Sequence, residues 1–187
     1  AFARYKNSAA YCSVGVQLEV TEEASVRLLR AWIVADAGEV VDPGGLTAQL
    51  EGGFIQAASW SLYESVSYDA DGITSRDWDS YPILRFDNVP EIHTVLVDRP
   101  GDPFLGAGEA AGGPTGGAIA NAIYRASGLR LAQMPFDSER IRAAARREGG
   151  RRAVPREQVH RGGEEARRAH QDDGEGAGGV KELRSRG

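Results

Sequence analysis

Between Tyr11 and Val20 the chain alternates strictly. Cys12, Val14, Val16, Leu18 and Val20 are apolar, while Tyr11, Ser13, Gly15, Gln17 and Glu19 take the other positions. Successive side chains of a strand point to opposite faces, so a period of two predicts a strand with one buried face. The polar Thr21-Glu22-Glu23 step then turns the chain into Val26 to Ala37. The β-branched and aromatic content of that run predicts a second strand, antiparallel to the first.

The period changes after Asp42-Pro43. Proline is tolerated in the first turn of a helix, and an acid there faces the positive end of the helix dipole. Leu46, Leu50, Phe54, Ala57 and Ala58 follow at helical spacing, predicting a helix to about Glu64. Asp71-Gly72 predicts a short hairpin between Val66–Tyr68 and Ile73-Thr74. Residues 77–90 read as irregular. Thr94 to Asp98 reads as a buried strand that ends in the turn formers Arg99-Pro100-Gly101-Asp102. Gly106 to Gly117 reads as a glycine-rich loop, with a helix opening at Pro114 or Thr115 and closed by Gly128. Asp137-Ser138 predicts the start of a last short helix containing Ile141. No internal repeat is present. Paired strands with packed helices make the expected fold class α+β.

Composition divides the chain. All 14 aromatic residues lie at or before Phe136. Residues 1–142 carry 11 basic and 19 acidic side chains, and residues 143–187 carry 11 and 8. One domain over residues 1–142 is therefore expected, followed by an Arg/Gly/Glu-rich tail over residues 143–187 that holds too little apolar surface to fold. The overall charge of −5 argues against a dedicated nucleic-acid binder, which needs a concentrated basic face. A single Cys12 excludes an internal disulfide framework or a multi-cysteine metal site. His93, His160 and His170 have no ligand-like spacing, so no metal ligated by protein side chains is expected. No apolar run approaches the roughly 20 residues that span a bilayer. The start at Ala1, without an initiator methionine or a signal-peptide pattern, is expected of a chain that lacks an upstream portion.

Two segments carry candidate chemistry. In Gly106-Ala107-Gly108-Glu109-Ala110-Ala111-Gly112-Gly113-Pro114 one carboxylate sits among residues that allow close backbone approach to a ligand. In a dry, tight pocket such a group can be desolvated toward neutrality and act as a general base. The helix behind it would aim backbone N–H groups at an anion. A merely solvated Glu109 on a flexible loop is the competing reading. Gly106-x-Gly108-x-x-Ala111 also fits a relaxed dinucleotide fingerprint. That fingerprint needs an acid about 20 residues later, where Leu129-Arg130-Leu131 has none. In Gln49-Leu50-Glu51-Gly52-Gly53-Phe54-Ile55-Gln56 two glycines interrupt a helical pattern. Close packing against a backbone or a cofactor would explain them. Gln49 and Gln56, seven apart on one face, offer amides to a polar cofactor or to water. Arg4, Tyr5 and Lys6 form a polar group that fits either a pocket entry or an exposed surface.

The order of Ala1-Phe2-Ala3-Arg4-Tyr5-Lys6-Asn7 and Ala10-Tyr11-Cys12, then Gln49 to Gln56, then Gly106 to Ala111, resembles the molybdenum hydroxylases of the xanthine dehydrogenase/aldehyde oxidase family. The resemblance covers residues 1 to about 141 and is to the C-terminal part of the molybdopterin-binding large subunit. The flavour is closest to bacterial aldehyde oxidase or isoquinoline oxidoreductase beta-type subunits. It implies a molybdenum–pterin cofactor, with or without a cytosine dinucleotide. The matching residues make Glu109 the catalytic base and Gln49 a cofactor contact, with Gln56, Ala111, Gly112 and Gly113 as further cofactor-binding positions. It also implies iron–sulfur clusters on a small partner subunit, a small-molecule substrate, contact with the remainder of the large subunit, and a cytoplasmic location with the periplasm left open. The implied activity is hydroxylation of an N-heteroaromatic ring or oxidation of an aldehyde, with water as oxygen source. The other reading is a non-catalytic fragment that only packs against the rest of that subunit. Xanthine-active branches carry prolines where Ala110 and Ala111 stand here, which weakens a purine substrate. The tail also departs from the family, which ends soon after its last helix.

Overall fold

The computed structural model describes residues 1–4 and 10–148, all within one compact unit. In chain order the elements are β1 (Phe2–Arg4), β2 (Tyr11–Val20), β3 (Val26–Asp36), α1 (Pro43–Leu62) and the hairpin of β4 (Tyr68–Asp69) and β5 (Gly72–Ile73). After a 3-10 turn at Phe86–Asn88 come β6 (Glu91–Val97), α2 (Gly112–Ser127) and α3 (Ser138–Arg147). The main sheet has the order β1-β2-β3-β6, with β1–β2 and β2–β3 antiparallel and β3–β6 parallel. A parallel pair needs a crossover, and α1 provides it.

The alternation in β2 sends Cys12, Val14 and Leu18 into the core. On β3 the buried set is Leu28, Ala31, Ile33 and Ala35, whose spacing slips by one residue between Leu28 and Ala31. A bulge absorbs the slip. Gln17 pairs with Arg30 but Leu18 pairs with Leu28, so Leu29 is the extra residue and both flanks keep their apolar side inward. Leu50 and Phe54 of α1 and Ile119 and Ile123 of α2 pack on that same face, giving the α+β arrangement expected of the chain.

Helix ends follow local chemistry. The Asp42 carboxylate accepts the Gly45 N–H at 3.0 Å with Pro43 in the first turn, and Gly128 ends α2 in the left-handed region at φ 76°. Asp137 caps α3 by accepting the Arg140 N–H at 2.8 Å and also pairs with the Arg140 guanidinium.

Several expectations are corrected. β6 is an edge strand with alternating exposure, because nothing among the described residues covers its outer side, so it is half-buried rather than buried. The hairpin turn falls on Ala70-Asp71, one residue earlier than read, since Asp69 pairs with Gly72 and the Asp69 carboxylate takes the Asp71 N–H at 2.8 Å. The glycine-rich loop stops at Ala111. Its last glycines belong to α2, which starts at Gly112 because Gly112, Gly113 and Pro114 all suit a first turn. α3 runs through residue 142, the expected domain boundary, to Arg147; the tail beyond residue 148 lies outside the described residues.

One glycine joins two loops. Gly38 has φ +73°, and a Cβ there would overlap the carbonyl of Pro103. Around it the Arg99 N–H donates to the Gly38 carbonyl at 3.2 Å and the Leu105 N–H to the Ala37 carbonyl at 2.8 Å. The segment after β3 is thereby stitched to the segment after β6.

This packing generates three tests. Gly38→Ala should cost about 1–3 kcal/mol and lower the thermal midpoint by several degrees, read by circular dichroism. Ser61 has a buried hydroxyl without a hydrogen-bond partner among the described residues. Ser61→Ala should therefore raise stability by about 1 kcal/mol in chemical denaturation, where loss of stability would refute the assignment. Burial pushes the Cys12 thiol up to about 11. Native protein at pH 7 should resist iodoacetamide that labels the unfolded chain, and stability should fall as pH climbs from about 9 to about 11, because the unfolded chain ionises its thiol first.

Candidate functional site

The two segments singled out in the sequence come together. α1 presents Gln49, Gly53, Gln56 and Trp60 along one stripe at helical spacing, and the loop before α2 runs alongside it. A Cβ on Gly108 would lie 3.8 Å from Gln49 Oε1, one on Gly53 3.8 Å from the Ala111 Cβ, and one on Gly112 3.9 Å from Trp60 Cζ2. Residues 108 to 112 therefore track α1 from its second turn toward its end, with Glu109 just past Gln49.

Backbone hydrogen bonds hold the loop. The Ala10 N–H donates to the Gly106 carbonyl at 3.1 Å, Ala110 to Ala107 at 3.1 Å, and Gly112 to Glu109 at 3.1 Å. Buried Thr115 clamps the end of the loop, donating to the Ala111 carbonyl with its N–H at 3.2 Å and its hydroxyl at 2.6 Å. Ala110 and Ala111 are buried beneath it, which anchors the backbone on the α2 side of the turn that carries Glu109, as the Ala10 bond does on the other.

The surroundings of Glu109 differ from the dry pocket expected. Its side chain is exposed, as are those of Gln49 and Gln56. A desolvating wall would have to come from outside the described residues. The first turn of α2 is also not the fan of free N–H groups expected, because Gly112 and Thr115 bond to the loop and Pro114 has no N–H. Nor do the paired glycines of α1 mark a tight backbone contact. Gly52 meets nothing within 4 Å, and Gly53 has room for a methyl group at ordinary contact distance.

Among the described residues no group of His, Cys, Asp and Glu could hold a metal ion. α2 is followed by α3 rather than by a second strand, which removes the dinucleotide fold as a reading of Gly106 to Ala111. Of the polar group Arg4-Tyr5-Lys6, only Arg4 lies within the described residues. The sequence reading missed the Gly38–Pro103 contact and exposed Phe104. Its available signal was a glycine directly after the apolar run of β3 and a proline-aromatic pair directly before the glycine loop.

The family model described as a molybdopterin cofactor-binding domain matches residues 1–90. A nicotinate dehydrogenase chain of Pseudomonas putida is 38% identical over 156 residues, covering 80% of this chain and 13% of that protein. The beta chain of isoquinoline 1-oxidoreductase from Brevundimonas diminuta is 34% identical over 114 residues, 61% of this chain and 14% of that protein. In fold, the chain matches quinoline 2-oxidoreductase from Pseudomonas putida 86 with a TM-score of 0.66 at 22% identity, over 73% of this chain and 19% of that one. It matches the aldehyde oxidoreductase from Desulfovibrio gigas at 0.64 and 23% identity, over 73% and 15%. The chain thus spans less than a fifth of each of these relatives. No described helix is long and apolar enough to cross a membrane. By that family model and by these two relatives at 38% and 34% identity, the chain belongs to the molybdenum hydroxylase family of xanthine dehydrogenases and aldehyde oxidases, as part of its molybdopterin-binding large subunit.

Proposed function

We propose that this chain contributes the general base and part of the cofactor cradle to a molybdenum-dependent oxidoreductase. The enzyme hydroxylates an N-heteroaromatic ring or oxidises an aldehyde with oxygen from water. The observation that carries the reading is the loop of Glu109, whose backbone is pinned on both sides and whose Gly108 lies beside Gln49.

The residues suit a pterin group. Gln49 and Gln56 present amides that can donate and accept along one exposed stripe, and open Gly52 between them leaves room for a flat polar molecule. Gln49 is the primary contact, with Gln56 and the backbone of Ala111, Gly112 and Gly113 behind it. A cytosine dinucleotide form of the cofactor would need, for its extra length, contacts from the remainder of the large subunit. When bound, the molybdenum–pterin group supplies the two-electron redox capacity of the reaction.

The overall change is R–H plus water to R–OH with release of two electrons and two protons. Glu109 takes one of those protons as oxygen from water bonds to the electron-poor carbon. A carboxylate exposed here becomes an effective base once the rest of the subunit closes over it and excludes water. Electrons leave to iron–sulfur clusters on a small partner subunit, in a cytoplasmic complex. The part of the molybdopterin-binding domain that carries these groups runs through α3, with the residues after it as an appended tail.

A second reading, a fragment that only packs against the rest of its subunit, draws support from the outer sheet face. Trp32, Val34, Val95 and Val97 are at least 40% exposed there. Such a row is suited to burial against another surface.

In the intact complex Glu109→Gln should lower dye-linked oxidation of substrate by about 10²- to 10⁴-fold, with molybdenum and pterin content unchanged. Undiminished turnover would remove Glu109 as the base and leave the packing role.

A further inference from the structure

A cleft of ≈ 260 Å³ opens beside Gln49 and Gly108, between the segment after β3 and the segment before the Glu109 loop. Its walls are Val40, Leu46 and Leu105. Its rim carries Val41 and Phe104, which are 79% and 75% exposed. Among the described residues, the charged side chains lining it are Glu39 and Asp42.

We infer that this cleft receives the apolar body of the substrate and selects neutral rings over rings that bear a carboxylate. The inference rests on the reading of Glu109 as the base, since the cleft reaches Gly108, the residue before it.

Three physical features support it. The walls are preformed, because the Gly38 contact and the Leu105-to-Ala37 hydrogen bond fix the two segments against each other. An aromatic ring left at 75% exposure gains little from folding, yet it offers a face on which a flat ring can stack. The volume lies below the range usual for drug-sized ligands, which suits a one- or two-ring molecule.

The charge preference follows from how the acids are held. Glu39 accepts the Gly101 N–H at 3.2 Å and Asp42 caps α1, so neither carboxylate is at liberty to swing away from an incoming anion. The nearby Arg99 guanidinium is engaged by Asp36 at 3.5 Å and Asp102 at 2.9 Å. Like charges a few ångströms apart at a protein surface disfavour binding by roughly fivefold or more.

The test uses nicotinamide and nicotinate, a neutral and an anionic ring of nearly equal size. Their Kd values are measured by calorimetry on the native complex reduced with dithionite, which cannot turn either ligand over. Nicotinamide should bind at least about fivefold more tightly. Glu39→Gln, which keeps the acceptor for Gly101, and Glu39→Lys should narrow the ratio in that order, while the nicotinamide Kd moves less than about twofold. Phe104→Ala should weaken both ligands by about fivefold. Equal affinities, failure of nicotinamide to bind, or a ratio unmoved by both Glu39 variants would overturn the inference. So would a Phe104→Ala complex with unchanged Kd values, which would give this rim to the rest of the subunit. Turnover of Glu109→Gln in the same complex is a separate readout, so loss of the base assignment and loss of the cleft assignment are told apart.

Discussion

The stitch between the end of β3 and the approach to α2 is the constraint on which the site depends. Two backbone hydrogen bonds from Arg99 and Leu105 reach back to Gly38 and Ala37, and the left-handed Gly38 lets the Pro103 carbonyl come close. Parallel pairing of β3 with β6 places both strand ends on the same side of the sheet, which makes that stitch geometrically available. From Leu105 the chain passes Ala10 and runs along α1, which sets Gly108, the residue before Glu109, beside Gln49.

The packing beneath the loop explains why small residues are needed there. Ala110 and Ala111 are buried, Ala111 facing Gly53 of α1, and Thr115 ties the start of α2 to Ala111 by two hydrogen bonds. A bulkier pair after Glu109 would have to lift the loop off the helix. Exposure of the Glu109, Gln49 and Gln56 side chains has a different origin. Nothing among the described residues covers these side chains, and the chain spans less than a fifth of the relatives it matches.

The same division of labour accounts for the outer sheet face. β2 and β3 each turn one side to the helices, and that side holds the core. The other side carries an apolar patch of Trp32, Val34, Val95 and Val97, uncovered among the described residues, beside the polar Ser13, Gln17, Arg30 and His93. Sheets with helices on one face can leave the other solvated, but usually with polar residues on it. The apolar patch among these polar residues is suited to contact with another surface.

Whatever local periodicity and local caps govern was legible in the order of residues alone. The alternation of β2, the Asp42-Pro43 start of α1, the Gly128 stop of α2 and the Asp137 cap of α3 each depend on side chains within a turn or two of one another. The order of motifs that marks the family was legible in the same way. Other features were settled only when distant segments packed together. A strand pattern does not say whether β6 is central or at an edge, so its half-exposure could not be read. Glycines at residues 52 and 53 read as a close approach, but whether anything packs on them depends on distant segments: Gly53 meets Ala111 and Gly108, and Gly52 meets nothing within 4 Å among the described residues. Glu109 as a desolvated base or an exposed carboxylate is likewise a matter of which walls surround it. A local period tells which face of an element is buried, but what covers a loop carboxylate is a property of the assembled surface.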